Sequence, residues 1–412
     1  MSKEILWNTK LRSRDYVWLI YYVIIYSFNV AFNGVQTLST ILLFLLVVFQ
    51  MFSKRGLKIK CFHKRDPIVW YSFFWLFVSL SYLWSTSQGR NHLNMATALM
   101  QIVIFMSCVD WSIVTKRDIV ALEKCFCLAT FVFACVTAVT SPLSTYGTMD
   151  FGKFTGMQRN TTGYLLLFGC LFNLRAASIA KKKYYNLMAL MCFVSSLLTG
   201  SRKIIIGYLI AIVFWVVYQP DIKKSIRYLL IGVLALLIII PILYQLPFFQ
   251  EVFGERLLAI FDDSIQDGSV ASRNRAKELA LLLFQRKPVL GNGWNSVVTS
   301  YGSFFGKMGG IYAHNNYLEV AADFGIIGLI LYYWKFIGNT IFTLKHAKED
   351  TDCRFLALCF ITVLILDWAQ VTYLYLYMMT FFVILFKTCN QIRFGSSTDG
   401  GELENGRKQK NR

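Results

Sequence analysis

The chain has 412 residues, of which 56% are hydrophobic, 16% aromatic and only 16% charged. A soluble domain carries about a quarter charged residues, so this composition, with a mean hydropathy of +0.49, excludes a soluble globular protein and points to repeated membrane spans. The net charge of +19 would suit a nucleic-acid binder, but the cations sit in short segments beside apolar runs. That is the positive-inside pattern, and no nucleic-acid partner is expected.

The N-terminus, MSKEILWNTKLRSRD, has no cleavage-site pattern and leads into a full-length apolar run, so no removable signal peptide is expected. The first two spans are predicted over 16–32 and 35–52, with a tight turn at Asn33-Gly34, and a basic loop, SKRGLKIKCFHKRDP, follows. Further spans are predicted over 68–84, 95–108, 119–140, 164–174, 187–198, 204–218 and 228–246. The only long polar interval comes next, and then three more apolar runs at 317–344, 355–368 and 373–386. The tail, GSSTDGGELENGRKQKNR, is polar and glycine-rich and reads as disordered.

This predicts an all-α polytopic membrane protein of about twelve transmembrane helices, with both termini cytoplasmic. It divides into an N-terminal membrane region (1–246, nine spans), a large external loop with an amphipathic helix (247–316), a C-terminal membrane region (317–388, three spans) and a disordered cytoplasmic tail (389–412). Under that topology thirty of the 42 Lys and Arg fall on the inner side, and every short inner loop is basic. The ten cysteines all fall in spans or on the inner side, and none stands at metal-ligand spacing from a histidine. Neither a disulfide framework nor a zinc site is expected.

The cations left on the outer side oppose the orientation rule, and each invites a reason. Arg202 lies in a short turn, LLTGSRKIIIG, either as a cap or lipid-headgroup anchor or as a fixed guanidinium whose planar fork matches phosphate oxygens. In the large loop, which also holds Arg256, Arg273 and Arg275 open an apolar-periodic segment that reads as a helix along the membrane surface. Arginine at a helix start opposes the dipole, which tilts the pair toward an anion site. The glycines of PVLGNGWN mark a turn; no strand precedes them, so they are not a dinucleotide fingerprint.

His314, just before the tenth span, is the strongest single candidate, because an imidazole can take a proton near neutral pH. Asn315 follows it directly. Glu319 and Asp323 lie on the same segment, and either can orient the ring or cap the next helix. The bland alternative for a lone histidine is a structural hydrogen bond, which is also how His63, His92 and His346 read. Asp367 and Gln370 are polar groups at membrane depth, candidates by default unless the short turn solvates them. There is no D-x-D motif, P-loop or Ser/His/Asp elbow at the membrane faces, so no cofactor is expected and any catalysis is expected to be metal-independent.

With its dozen spans, its large external loop before the third-last span, and the motifs TGSRK, SRNRAKELALLLFQRKPVLGNG and HNNYLEVAADFGIIGL, the chain resembles the O-antigen ligase/polymerase family of bacterial membrane proteins. The residue-level likeness runs from about Thr199 to Leu329. The resemblance implies a GT-C-like membrane glycosyltransferase working at the periplasmic face of the bacterial inner membrane. Its donor would be an undecaprenyl-pyrophosphate-linked oligosaccharide. Carried over to this sequence, it makes His314 the general base toward the acceptor hydroxyl. Arg202 and Arg273 would hold the departing pyrophosphate, with Arg275 as the alternative for the second of these, and Asn315 and Glu319 would support the histidine. A polymerase, joining the chain to another lipid-linked repeat, is favoured over a ligase that moves it to lipid A-core. A chain-length regulator is the candidate protein partner. The rival from another class is a transporter or flippase for the same lipid-linked sugars, and it should show polar groups near the midplane of its spans. Here the suggestive groups cluster at the outer boundary instead.

Overall fold

A computed structural model describes residues 3–28, 64–85, 90–146, 150–218, 268–305 and 310–410, with a few isolated positions besides. Thirteen α-helices, three single-turn 3-10 helices and no strand occur among the described residues. The α-helices are α1 (Lys3–Asn8), α2 (Ser13–Ser27), α3 (Pro67–Leu80), α4 (Arg90–Ser112), α5 (Lys116–Thr140), α6 (Arg159–Ala180), α7 (Lys183–Leu198) and α8 (Arg202–Val217). After the large polar interval begins come α9 (Gly268–Arg286), α10 (Ser296–Phe305), α11 (Asn316–His346), α12 (Thr351–Asp367) and α13 (Leu376–Lys410).

Local chemistry places many of these ends. Pro67 opens α3 directly after Asp66, where its missing N–H costs nothing. Thr115 and Asp118 form a reciprocal capping box at α5, at 3.2 and 3.0 Å. Asp350 caps α12 through the amides of Asp352 and Cys353. Four segments are long and apolar enough to cross a membrane by length and composition: Met95–Ser112 of α4, and α5, α6 and α11. The predicted spans at 35–52 and 228–246, and with them His63, Cys61 and Arg256, lie outside the described residues.

Three local expectations change. The loop helix starts at Gly268, so Arg273 and Arg275 sit in its second turn rather than at its N-terminus, and the dipole argument for them lapses. A second loop helix, α10, was not foreseen. The tail expected to be disordered from residue 389 continues the backbone of α13 to Lys410. Extending a helix already nucleated by the apolar run 376–386 needs only one bond per residue, whereas starting one there would not be favourable.

The core is one cluster running through α1–α8 and α11–α13, rich in close aromatic pairs such as Phe168–Phe381 (4.3 Å) and Trp70–Phe386 (4.9 Å). A smaller cluster holds α9 and α10 against α11 through Ala276, Leu279, Ala280, Leu283, Val297, Tyr301 and Ala322. At the Ala180 end of α6, the buried Arg175 lies 3.0 Å from both Glu123 and Asp352, and Lys3 also reaches Asp352. Nearby on the bundle, Lys387 pairs with Asp110 at 3.1 Å.

Candidate functional site

The site is built on a break in α11. At Gly325 the backbone turns to φ 64° and ψ −164°, which interrupts the helix. The interruption strips partners from four groups: the carbonyls of Ala322 and Asp323, and the amides of Ile326 and Ile327. The turn PVLGNG supplies all four. Asn292 N and Gly293 N donate to Ala322 O and Asp323 O at 2.9 and 2.8 Å, and Ile326 N and Ile327 N donate to Pro288 O and Val289 O at 2.8 and 3.3 Å. Glycine is required on both sides: a Cβ at Gly325 would overlap the Val289 carbonyl, and one at Gly291 would overlap the Asp323 carbonyl.

Asp323 completes this joint. Its carboxylate accepts from Asn295 N (2.9 Å), Ser296 N (2.9 Å), Ser296 Oγ (2.7 Å) and Tyr373 OH (3.2 Å), so a buried side chain of α11 caps the start of α10. The loop is therefore seated on the membrane helix as a fixed part of it.

The same economy fixes His314. Asn315 caps α11 by accepting from Leu318 N at 3.0 Å, and Glu319, one turn in, reaches back to accept from Ala313 N at 2.5 Å. These bonds bracket His314, which takes a left-handed φ of 52° and stays half-buried. Its ring lies against Tyr312, centroids 4.0 Å apart. The Tyr312 hydroxyl donates to Gln158 Oε1 at 3.2 Å, tying the loop to the residue that opens α6. Burial pushes the Tyr312 phenol up, which keeps that proton in place.

Behind the motif, Asn316 joins α11 to the turn after α12. It donates to Tyr333 OH (2.7 Å) and Asp367 Oδ2 (3.2 Å) and accepts from Thr372 N (2.8 Å). Asp367 also accepts from Tyr333 OH and Thr372 Oγ1, and Gln370 donates to Thr161 Oγ1. The two polar groups noticed at membrane depth thus hold the corner on which His314 stands.

The imidazole pKa is lowered to about 3, first by burial and then by the charges of Arg273, Lys203 and Lys277. Arg273 and Lys277 lie four residues apart on one face of α9, and Lys203 starts α8. The structure therefore brings Arg273 to His314, as the sequence suggests, and adds Lys203 and Lys277. Arg202 is exposed at the N-terminus of α8. Arg275 is exposed too, with its guanidinium 5.8 Å from the Phe305 ring of α10. The signal that could have found Lys277 is its spacing from Arg273; Lys203 had only its place beside Arg202 in the same turn.

A neutral imidazole with a free lone pair, set among cations from two elements, can take a proton from a neutral donor while the cations hold an anion. Fold and geometry together describe a helical membrane protein that gathers positive charge around a histidine where a loop domain meets the bundle. A family model described as O-Antigen ligase matches residues 187–333. That stretch includes the Arg202–Lys203 turn, α9, α10, His314 and the break in α11, and over it the chain is similar to the O-antigen ligase family. No curated protein matches the chain.

Proposed function

We propose that the protein is a surface-polysaccharide polymerase that transfers an undecaprenyl-pyrophosphate-linked oligosaccharide onto another lipid-linked repeat unit at the periplasmic face of the inner membrane. The observation that carries this reading is His314, held neutral between two backbone restraints and facing the charges of Arg273, Lys203 and Lys277. In the transfer, His314 accepts the proton of the acceptor hydroxyl. The hydroxyl oxygen bonds to the anomeric carbon, and the bond from that carbon to the pyrophosphate oxygen breaks. The electron pair leaves with the pyrophosphate, whose charge Arg273 and Arg202 meet. Arg273 is preferred to Arg275 for this role because Arg275 is engaged on Phe305.

A base of pKa about 3 is weak by itself. An anion placed between the cations cancels part of their field, so donor binding raises the basicity of His314 when it is needed. The polyprenyl donor and the twelve-span, two-termini-inside topology belong to the same reading. A ligase would use the same groups and differ in its acceptor. A flippase is disfavoured because the charges gather at the loop–bundle junction rather than midway along the described helices.

The deciding experiment is a surface-polysaccharide gel from a deletion strain carrying wild type or His314→Ala, with matched protein levels. Core bearing a single repeat and no ladder in the variant supports a polymerase acting through His314. Bare core, with long chains left on the lipid carrier, makes it a ligase. An unchanged ladder sinks the mechanism and returns the transporter reading.

A further inference from the structure

Lys203 stands beside the residue that the sequence singles out, yet its surroundings differ from those of Arg202. Arg202 is exposed, whereas Lys203 is half-buried and its ammonium donates to the carbonyl oxygen of Ala369, in the turn after α12. A neutral carbonyl is a modest partner for an ammonium. The charges of Arg273, Lys277 and Arg159 also bear on it, so the side chain is held in a field of its own sign. A phosphate oxygen would bond it more strongly than a carbonyl and would relieve that repulsion at once.

The second observation is the space beside it. Lys203 lines a cleft of about 490 Å³ between α8 and α12, whose other walls include Ile206, Tyr317, Leu364, Leu366 and Trp368. Apart from Lys203, these walls are aliphatic or aromatic. Trp368 is largely exposed, as expected of an indole at a bilayer boundary. One cation at the head of an apolar cleft complements an amphiphile: a phosphate group carrying a long hydrocarbon. A free phosphate would gain from the cation alone, and a plain hydrocarbon from the walls alone.

We propose that Lys203 is a phosphate ligand of this site, exchanging the Ala369 carbonyl for a phosphate oxygen, and that the adjoining α8–α12 cleft takes the first part of the prenyl chain attached to that phosphate. The inference rests on the transferase reading for its choice of a prenyl lipid, and it adds a residue and a direction: the chain leaves the site between α8 and α12, below Trp368. Lys203 then links donor binding to the α12–α13 turn, because taking up the phosphate frees Ala369, two residues from the Asp367 hub behind the histidine motif.

The test uses the full chain in phosphatidylcholine nanodiscs and a benzophenone-tagged farnesyl pyrophosphate. Crosslinks should map to Tyr317 and the 364–369 segment. Unlabelled farnesyl pyrophosphate should compete at least about tenfold better than inorganic pyrophosphate or farnesol. Lys203→Gln should weaken it about tenfold while Lys203→Arg retains most of the affinity, as loss of one charge-assisted bond implies. Ile206→Trp, which fills the cleft, should bring farnesyl pyrophosphate down to the level of inorganic pyrophosphate. Crosslinks elsewhere, or undiminished binding by Lys203→Gln or Ile206→Trp in protein of unchanged melting temperature, would overturn the proposal. So would competition by phosphatidic acid as strong as by the prenyl compound, since the cleft would then be a general lipid-headgroup site. Failure of the transferase reading is separate: there His314→Ala would keep a normal ladder whatever the binding results.

Discussion

The two ends of α6 hold their charges in opposite ways. Near Ala180, Arg175 lies between Glu123 and Asp352, and Lys3 adds a second cation to Asp352. Near Arg159, Lys203, Arg273 and Lys277 act together on His314, and among the described residues none of these three forms an ion pair. The first arrangement uses each charge to neutralise another, which lets a guanidinium sit in the bundle and joins α5, α6 and α12. The second leaves a field that no ion pair among the described residues absorbs, at a place where Asn315 and Glu319 fix the backbone. Paired charge holds the helices together; unpaired charge on a rigid frame is what an anionic substrate needs.

Exchanging substitutions between the ends should separate these roles most clearly. Arg175→Met leaves the buried Glu123 without its cation and Asp352 with Lys3 alone, and should destabilise the fold by about 3–5 kcal/mol. Arg273→Met should leave the unfolding transition in detergent where it was and reduce polymer formation about a hundredfold. The comparison breaks if Arg273→Met unfolds the protein while Arg175→Met is tolerated.

The rigidity of the frame is the next point of attack. Gly325→Ala forces a side chain onto the Val289 carbonyl at a positive φ and should cost roughly 3 kcal/mol. If the loop domain is seated as described, limited proteolysis of this variant should open the 286–295 segment first.

The field at the histidine has a pH signature. With its folded pKa at about 3, below the ordinary 6.5, His314 stays neutral from pH 8 down to pH 5 in the free protein. Between pH 6.5 and 3 the unfolded chain binds the extra proton, so the contribution of His314 to stability is complete above 6.5 and is lost as the pH falls. Wild type should therefore lose stability relative to His314→Gln on acidification through that window. An imidazole resonance that titrates near 6.5 in the free protein, and does not move when pyrophosphate is added, would remove the field from the account. The smallest effect belongs to Arg275→Ala, which loses only a guanidinium–Phe305 contact worth about 0.5–1 kcal/mol and should keep a normal ladder.

Much of the fold was legible in the chain. The predicted run 119–140 became Lys116–Thr140, 187–198 became Lys183–Leu198 and 317–344 became Asn316–His346, because a stretch of apolar residues ended by caps and cations has one economical structure in a membrane. His314 and Arg273 could be singled out as a rare titratable group and a cation on the wrong side of the charge balance. Of their companions, Lys277 had only its four-residue spacing from Arg273 to mark it, and Lys203 had less. Lys203 looks weaker than Arg202 in the sequence, and only the packing of α8 against α12 turns it toward the Ala369 carbonyl.

Sequence alone therefore determined the all-helical class, the membrane character, the likeness to the O-antigen ligase family and the histidine around which the chemistry is proposed, since each rests on composition, period or a local motif. Only tertiary structure decided that PVLGNG fits the broken helix at Gly325, that Asp323 caps a helix of the loop, and which cations reach the imidazole. Those outcomes depend on backbone groups and charges far apart in the chain, and a missing hydrogen-bond partner becomes visible only when the segment that supplies it has come into place.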